Sequence, residues 1–386
     1  MTAAGLVFVL ALSAIVYAYL GYPALVALAA RLRPAPAVRR APATPDLTVL
    51  LVARDEESCL EAKLLNCLAL QYPPDRLEIL VVSDGSTDGT EALAEGFRER
   101  GVRLLRLRPA RGKAAALNAA VAAARGEVLL LTDARQHLDP DAARQLVACL
   151  ADPTVGAVSG ELHLRPLAAS SPSEGVAAYW SLEKRLRRAE SRLDSTVGVT
   201  GAIYALRKEL FRPLDERTVL DDVAVPMEVA MAGWRVVFEP GAAAWDTLPA
   251  EPAREYRRKV RTLAGNYQLV RLRPALLDPR RNRLLWQFVS HKLARLAVPW
   301  CLLVLLASSA VLAARTTFGQ VAFGLQIAFY LAALLAGAAR RLPGSGWAAR
   351  ALAIPYSFVL LNVAAAAALV LVLRGRTTAA WKERGR

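Results

Sequence analysis

Residues 79–89 read Ile-Leu-Val-Val-Ser-Asp-Gly-Ser-Thr-Asp-Gly, an apolar run that stops at Asp84 and gives way to a polar, glycine-bearing turn. A short apolar run between polar flanks is typical of a buried strand in a parallel sheet. In such sheets ligands bind beyond the carboxyl ends of the strands, where Asp84 would stand. Gly85 lets the backbone turn sharply or approach a ligand closely. The stretch alone fits a ligand-binding edge and an ordinary strand–turn–helix junction equally well.

The residues on either side of this stretch alternate between strand-like and helix-like patterns. Predicted strands cover residues 47–53, 77–83, 102–107 and 128–132, and predicted helices cover 58–70, 87–100, 112–125 and 139–150. This alternation predicts right-handed βαβ units and a doubly wound sheet. Three of the strands end in acidic or charged residues, namely Asp55 with Glu56, Asp84, and Asp133. If the sheet is mainly parallel, these side chains converge on one edge, which is a more specific signal than any one of them.

Two further stretches carry paired or repeated charges. Residues 220–223 read Leu-Asp-Asp-Val at the start of a helix pattern that runs to Ala232. Capping beside the helix dipole is a sufficient structural explanation of Asp221 and Asp222, but against a cleft one of them could act as a general base. Residues 254–261 put basic side chains on more than one face of a helix. This pattern suits either a solvated or headgroup-facing helix or a site that neutralises phosphate.

Composition limits the classes of function. The chain has 386 residues, a net charge of +15 and 55% hydrophobic residues, which are concentrated at its two ends. A basic balance points to nucleic acid or an anionic membrane surface, and the apolar ends with only 7% aromatic residues favour the membrane over nucleic acid. The four cysteines show no Cys-x-x-Cys spacing and the three histidines lie far apart. These spacings argue against a disulfide framework or a His-based metal cluster.

The first apolar stretch, residues 5–30, is long enough to span a bilayer of about 30 Å. No Lys or Arg precedes it and several arginines follow it. The positive-inside rule therefore predicts an external N-terminus and a cytosolic chain thereafter. A cleaved signal peptide is the alternative, although such a peptide normally has a charged start and a shorter apolar core. Residues 31–45, which are basic and contain four prolines, are predicted to form an extended linker.

The membrane pattern returns towards the C-terminus. Residues 283–293 have the pattern of an interfacial helix, and residues 296–314, 318–339 and 351–373 are candidate spans, together a region of about three helices over 296–373. The tail, 374–386, is basic. The basic loop around Arg340 and this tail cannot both be cytosolic when a single span separates them, so the number and orientation of these spans stay open. The spans contain almost no ionisable residues, which argues against a transporter or channel.

The order and spacing of several short motifs match a known family. They are residues 50–57 (Leu-Leu-Val-Ala-Arg-Asp-Glu-Glu), 82–88 (Val-Ser-Asp-Gly-Ser-Thr-Asp), 111–118 (Arg-Gly-Lys-Ala-Ala-Ala-Leu-Asn), 126–127 (Gly-Glu), 131–135 (Leu-Thr-Asp-Ala-Arg), 200–202 (Thr-Gly-Ala) and 220–222 (Leu-Asp-Asp). With these motifs the chain resembles membrane-bound family 2 glycosyltransferases, the group that includes cellulose, hyaluronan and poly-N-acetylglucosamine synthases and many polyprenol-linked sugar transferases. The resemblance covers residues 47–268 and is specific because the motifs occur together.

The resemblance implies an α/β fold of the GT-A type, Rossmann-like and nucleotide-sugar-binding, over residues 46–275, flanked by N- and C-terminal transmembrane helices. It also implies a nucleotide-sugar donor, Mg²⁺ or Mn²⁺, and a hexosyl- or N-acetylhexosaminyl-transferase of polysaccharide biosynthesis in the cell envelope. The donor-binding residues implied are Arg54, Glu56, Asp84, Lys113, Asp133, Arg135, Arg258 and Arg261, with Asp133 as the metal ligand. Asp222, beside Asp221, matches the acid that deprotonates the acceptor hydroxyl, a role for which carboxylates are suited.

The chain departs from the family pattern at two positions. Arg135 stands where the family has the second acid of its Asp-x-Asp metal motif, and a guanidinium cannot ligate a cation. Either Asp133 holds the metal together with diphosphate oxygens and water, or Arg135 substitutes in part as a phosphate clamp. The second departure is in the Gln-x-x-Arg-Trp motif of processive synthases, whose nearest match, residues 258–262, keeps the arginine but lacks the glutamine and the tryptophan. The sequence therefore supports a prediction of sugar transfer more strongly than one of long-polymer synthesis.

The leading hypothesis is an inverting transferase in the cell (inner or plasma) membrane, with a cytosolic catalytic domain. It would move a sugar from a cytosolic nucleotide-sugar donor to a membrane-associated acceptor, either a polysaccharide or a lipid. The alternative is a catalytically weak, sugar-nucleotide-binding membrane subunit of a polysaccharide assembly complex. Arg135 in the metal motif is the only support for this alternative.

Overall fold

A single mixed sheet forms the centre of the protein. The computed structural model describes residues 2–165, 174–247, 252–339 and 347–375. Within these residues, the eight strands are β1 (Leu47–Ala53), β2 (Leu77–Asp84), β3 (Val102–Leu107), β4 (Val128–Thr132), β5 (His137–Leu138), β6 (Val155–Arg165), β7 (Tyr204–Arg207) and β8 (Arg235–Thr247). Their order across the sheet is β3-β2-β1-β4-β7-β6-β8-β5.

The strands predicted as βαβ units pair in parallel. β1 lies between β2 and β4, and β2 also pairs in parallel with β3. β7 is antiparallel to both β4 and β6, so the sheet becomes mixed beyond β4. The parallel part brings the carboxyl ends of β1, β2 and β4 to one edge, as the sequence predicted.

Both faces of the parallel strands are covered, and for this reason they read as continuous apolar runs. Every residue of β1 is buried. Side chains alternate along a strand, so Leu50 and Val52 pack with the helices 113–123 and 221–231, whereas Val49 and Leu51 pack on the opposite face with the helices 57–68 and 142–150. The helices around the sheet are α3 (Glu57–Leu68), α4 (Thr90–Gly96), α5 (Lys113–Ala123), α6 (Ala142–Leu150), α7 (Glu174–Leu193), α8 (Asp221–Met231) and α9 (Pro252–Leu272).

Two predicted elements differ in length from those in the structure. The helix predicted over 87–100 is shorter, because the Asp88 carboxylate accepts hydrogen bonds from the backbone and hydroxyl of Thr90 and the helix begins there. The sequence over residues 233–238 predicts a turn and a short strand, whereas in the structure β8 continues to Thr247 and pairs with β6 across two irregularities in register. Its turn-like Glu-Pro-Gly sequence at residues 239–241 lies at the second of these irregularities, and pairing with β6 resumes at Ala243.

Four helical segments are long and apolar enough to cross a membrane: Ala3–Leu32, Leu285–Ala313, Thr317–Ala338 and Ile354–Leu373, counted within the described ranges. The first joins α1 (Ala3–Val16) to α2 (Tyr22–Leu32), and the second joins α10 (Leu285–Phe288) to α11 (Ala294–Ala313), each through a π-helical turn. The others lie in α12 (Thr317–Ala339) and α13 (Trp347–Leu373).

The segment Leu285–Ala313 differs from the expected boundary between an interfacial helix and a span. The sequence suggested a separate helix over 283–293, but the π-helical turn Val289–Leu293 continues directly into α11. Residues 340–346 of the basic loop and residues 376–386 of the tail lie outside the described residues. The orientation of the spans therefore remains a prediction.

Candidate functional site

The turns after β1 and β2 are interlocked. The Asp55 amide donates to Ser86 Oγ at 3.2 Å, and the Thr87 amide donates to Asp55 Oδ1 at 2.7 Å. A second pair of bonds follows, in which the Gly89 amide donates to Glu57 Oε2 at 2.9 Å and the Glu57 amide donates to Asp88 Oδ2 at 3.2 Å. Asp55 has a φ of 53°, a conformation that non-glycine residues rarely adopt and that clusters at functional sites. These bonds join two strand ends into one edge.

Arg54 and Glu56 flank Asp55 on this edge. Both side chains are half-buried, and the Glu56 amide donates to Thr90 Oγ1 at 2.9 Å. The structure thus brings these two predicted donor-site residues to the same edge as Asp84. Their contact with a nucleotide remains a prediction.

Asp84 is fully buried at the end of β2. Its Oδ1 accepts a hydrogen bond from the Arg111 amide at 2.7 Å, and its Oδ2 accepts one from the Gly112 amide at 2.9 Å. Gly85, at a φ of 63°, allows this approach, since a Cβ there would stand 3.0 Å from the Ala110 Cβ. The carboxylate therefore holds the loop that leads into α5 and fixes the position of Lys113.

Lys113, the first residue of α5, lies between two acids. Its Nζ is 3.2 Å from Asp133 Oδ1, at the end of β4, and 3.2 Å from Asp221 Oδ2, at the start of α8. Burial favours the neutral amine, but the carboxylates of Asp133, Asp221 and Asp222 outweigh burial and raise the pKa of Lys113 well above its usual range. The sequence predicted these residues individually, and the fold brings them together from three separate elements.

Asp222 is half-buried one residue into α8. Burial and the neighbouring Asp221 raise its pKa to about 6, although Lys113 and other cations act in the opposite direction. Gly201 faces it, because a Cβ on Gly201 would stand 4.0 Å from Asp222 Oδ2. The Thr-Gly-Ala turn therefore leaves room beside a carboxylate whose pKa suits proton abstraction near neutral pH.

Tyr204 belongs to the site but was not among the predicted residues. It lines one small cavity with Lys113, Asp133, Gly201 and Asp221. Its side chain is 1% exposed, and its hydroxyl has no hydrogen-bond partner within the part of the chain that the structure describes. Burial and the nearby acids raise its pKa well above the usual range. The sequence places it only in a short strand, and its position follows from the pairing of β7 with β4.

The three predicted arginines lie around this centre. Arg135 is exposed two residues beyond Asp133. On α9, Arg258 is half-buried and Arg261 exposed. The Gln268 side chain ties the same helix to the site by accepting from the Val219 amide at 3.1 Å, just ahead of Asp221. Diphosphate binding by these arginines remains a prediction.

The acids suit a divalent cation only when a donor is bound. No group of three or more His, Cys, Asp or Glu side chains within the described residues could hold a metal ion by itself. The Asp133 side chain is 37% exposed, and Mg²⁺ commonly binds through one or two carboxylates with substrate phosphates and water. Asp133 thus fits the role of protein ligand in a cation site that the donor completes.

The parallel strand ends, their acids and the mixed sheet have the arrangement of the GT-A fold. Residues 48–214 match the family model described as glycosyl transferase family 2. Residues 48–214 therefore form a domain that matches this family. The predictions of this family, of the GT-A fold and of a glycosyltransferase are confirmed, and they come with helices able to span a membrane.

Curated relatives are polysaccharide synthases. The chain is similar to the poly-beta-1,6-N-acetyl-D-glucosamine synthase of Staphylococcus aureus, with 27% identity over 229 residues, which cover 58% of this chain and 55% of that protein. The synthase of the same name from Staphylococcus epidermidis is 24% identical over 229 residues, again 58% of this chain and 55% of that protein. The chain thus spans about half the length of the curated relatives it matches.

A solved structure is similar along almost the whole chain. It is a mannosyltransferase from Pyrobaculum calidifontis in complex with GDP-Man and Mn²⁺. The two are 26% identical with a TM-score of 0.70, and the match covers 96% of this chain and 99% of that one. The similarity thus includes the helices outside the catalytic sheet.

Proposed function

We propose that the enzyme is an inverting glycosyltransferase that moves a sugar from a cytosolic nucleotide-sugar donor to a membrane-associated acceptor. It would reside in the cell membrane with its catalytic domain in the cytosol. Sequence and structural similarity support sugar transfer, and four apolar helices support a membrane location.

Asp222 carries the proposal. Its pKa of about 6 makes the carboxylate largely ionised at neutral pH and still basic enough to accept a proton. In the proposed step, the acceptor hydroxyl oxygen attacks the anomeric carbon and its proton passes to Asp222. The bond from that carbon to the donor phosphate breaks, and the nucleoside diphosphate leaves with the electron pair. A single displacement from the opposite side inverts the anomeric configuration.

Lys113 suits the donor side of this step. The leaving diphosphate gains negative charge, and an ammonium held in place before the reaction stabilises that charge. Asp84 fixes the start of α5, and Arg54 and Glu56 lie on the same sheet edge, where a nucleotide would bind. Mg²⁺ or Mn²⁺ held by Asp133 with the donor phosphates would add further neutralisation. The mannosyltransferase complex with GDP-Man and Mn²⁺ supports this class of ligand.

The core supports a membrane-associated acceptor. Leu284 and Phe288, at the start of a candidate span, are fully buried in the same cluster as Leu220 and Val223, which flank the Asp pair. The proposed base therefore lies in a helix packed against the beginning of a membrane segment. An acceptor held in the bilayer would have a short path to it.

Nucleotide release by the purified full-length chain tests the proposal. Donors would be UDP-Glc, UDP-GlcNAc and GDP-Man, each with a bacterial lipid extract and with Mg²⁺, Mn²⁺ or EDTA. We expect lipid-dependent release with one donor class and loss of release in Asp222→Asn. Asp75→Asn, a change at an exposed acid in the turn before β2, serves as the control. Equal turnover by wild type and Asp222→Asn, or a product that retains the donor configuration by NMR, would contradict the mechanism.

A further inference from the structure

A buried polar cluster lies where α7 meets the membrane helices. His291 Nε2 is 2.7 Å from Glu183 Oε1, and His291 Nδ1 is 2.8 Å from Glu190 Oε1. From the first apolar segment, the Tyr22 hydroxyl donates to Glu190 at 2.5 Å, and Arg295 donates to Glu183 Oε2 at 3.0 Å. We call these five residues the junction cluster. None of them takes part in the proposed transfer step.

The two carboxylates of the junction cluster are fully engaged. Both oxygens of Glu183 face cations, and the second oxygen of Glu190 lies 3.3 Å from Thr196 Oγ1. Each imidazole nitrogen lies within hydrogen-bonding distance of one glutamate, so the ring bridges the two carboxylates. Burial opposes ionisation, but His291 and the neighbouring cations hold the pKa of Glu183 well below its usual range and also lower that of Glu190. The cluster therefore offers no remaining carboxylate to a further cation.

Lys292, the next residue, is such a further cation. It is half-buried, and its ammonium has no hydrogen-bond or ion-pair partner across residues 2–165, 174–247, 252–339 and 347–375. A Cβ on Gly198 would stand 3.4 Å from Lys292 Nζ and 3.5 Å from the Asp222 carbonyl oxygen. The ammonium therefore lies beside the helix turn that carries the proposed base.

The Arg187 guanidinium also has a buried nitrogen that could donate a further hydrogen bond. The Arg187 side chain is 13% exposed on α7, and its Nε is 3.7 Å from Glu183 Oε1, beyond hydrogen-bonding distance. This Nε is a buried donor without a partner among the described residues. Partial burial of an unpaired ammonium is costly, and so is burial of a guanidinium nitrogen without a hydrogen-bond acceptor. Three basic side chains, Arg187, Lys292 and Arg295, and the His291 imidazole thus surround Glu183 and Glu190, and Lys292 lies on the side that faces Asp222.

We propose that Lys292, assisted by Arg187, binds a phosphate group carried by a lipid-linked acceptor. The inference rests on the proposed function and adds the chemical class of its acceptor. Lys292 belongs to the candidate span Leu285–Ala313, whose outward residues Trp300 and Leu303 are 40% and 60% exposed. A lipid lying along this apolar surface would bring a headgroup phosphate to the ammonium and the attached acceptor group to Asp222.

Equilibrium binding to the full-length chain in nanodiscs of neutral phosphatidylcholine tests this proposal. The probes are a polyprenyl phosphate and the polyprenol of the same chain length, measured by native mass spectrometry. We expect wild type to prefer the phosphate at least tenfold, and Lys292→Met to reduce that preference by about tenfold, the size of one charge-assisted hydrogen bond. Lys292→Arg should keep the preference. Arg31→Met, an exposed cation at the end of the first apolar segment, should also keep it.

The affinity for GDP-Man and UDP-GlcNAc, measured on the same proteins, shows whether Lys292 binds the phosphate of the lipid or that of the nucleotide-sugar donor. Donor affinity that is unchanged in Lys292→Met, together with the lost lipid preference, supports an acceptor site and also reports a folded variant. Loss of donor affinity with an intact lipid preference would assign the ammonium to the donor and overturn the proposal. Equal binding of phosphate and alcohol by wild type would overturn it without any variant. Wild type that binds lipid phosphate and donor but transfers no sugar would contradict the proposed function alone.

Discussion

Lys113 Nζ lies 3.2 Å from Asp221 Oδ2, which joins the first residue of α5 to the first residue of α8. The two helices are separated by about a hundred residues of sequence, including four strands and two α-helices. The same ammonium contacts Asp133, so one cation sets the charge of the whole acidic site. Its removal should alter the protonation of Asp222, which makes Lys113 a useful position for a pH experiment.

The turnover rate should depend on pH through Asp222. A general base must be deprotonated, so we expect kcat to rise with pH and reach half its maximum near pH 6. Lys113 lowers the pKa of Asp222, so Lys113→Met should move this midpoint to higher pH. Lys208→Met is the control, because Lys208 lies at the far end of β4 beside Glu127 and should leave the midpoint in place. A midpoint unchanged in Lys113→Met would contradict the coupling.

Replacement of Asp222 by asparagine should separate activity from stability. We expect kcat to fall by about 10²–10⁴-fold, the usual contribution of a general base. The folded pKa lies above that of the unfolded chain, so the ionised side chain disfavours the folded state above pH 6. Thermal unfolding at pH 8 should therefore show an equal or higher Tm for Asp222→Asn. A large loss of Tm would indicate that the lost activity reflects unfolding.

Asp84 should act on donor binding through the loop that it holds. An asparagine keeps one acceptor but turns an NH₂ group towards the second of the amides of Arg111 and Gly112. We expect at least a tenfold loss of affinity for the donor nucleotide, with a stability cost of about 1–3 kcal/mol. Titration calorimetry with nucleoside diphosphate would measure the first and urea unfolding the second. Unchanged donor affinity in Asp84→Asn would refute its part in the donor site.

Replacement of Tyr204 by phenylalanine should distinguish a role in the reaction from a purely structural role. Its hydroxyl lacks a partner in the described structure, so Tyr204→Phe should not lower the Tm but should lower kcat, if the hydroxyl bonds to a bound substrate or ordered water. Tyr72→Phe is the matched control, since the Tyr72 hydroxyl donates to the Pro45 carbonyl at 2.6 Å. That change should cost about 1 kcal/mol of stability and leave kcat intact. Full activity in Tyr204→Phe would remove Tyr204 from the site.

The junction cluster should be sensitive to loss of one carboxylate. Glu190→Gln leaves His291 without one of its two anionic partners, and breaking such a buried pair typically costs about 3–5 kcal/mol. The pKa of Glu190 is lowered in the folded state, so its contribution is present above the unfolded pKa and is lost as the pH falls through the folded one. Thermal unfolding in detergent at neutral pH would measure the loss. Glu95→Gln, at an exposed ion pair, should leave the Tm unchanged.

The parallel strands could be predicted from the sequence, but little of the antiparallel part of the sheet could. Buried parallel strands are apolar throughout, so the residues of β1, β2 and β4 were recognisable and their acidic ends predicted a common edge. β8 was predicted too short, because its irregular register with β6 is set by pairing and leaves no local pattern. Tyr204 and the junction cluster were missed for the same reason, since each depends on contacts between distant elements.

Tyr22 and Glu190, joined by a hydrogen bond across 168 residues, bear on how this enzyme can be handled. The sequence suggested a soluble unit over 46–275 that a linker attaches to its anchor, and a truncation at that linker is the obvious route to crystals. Such a fragment would lack Tyr22 and His291, two of the side chains that the Glu190 carboxylate contacts, and the packing of Phe288 beneath α8. We therefore expect the truncated domain to be insoluble or inactive. We expect the apolar helices and the sheet domain to fold as one unit.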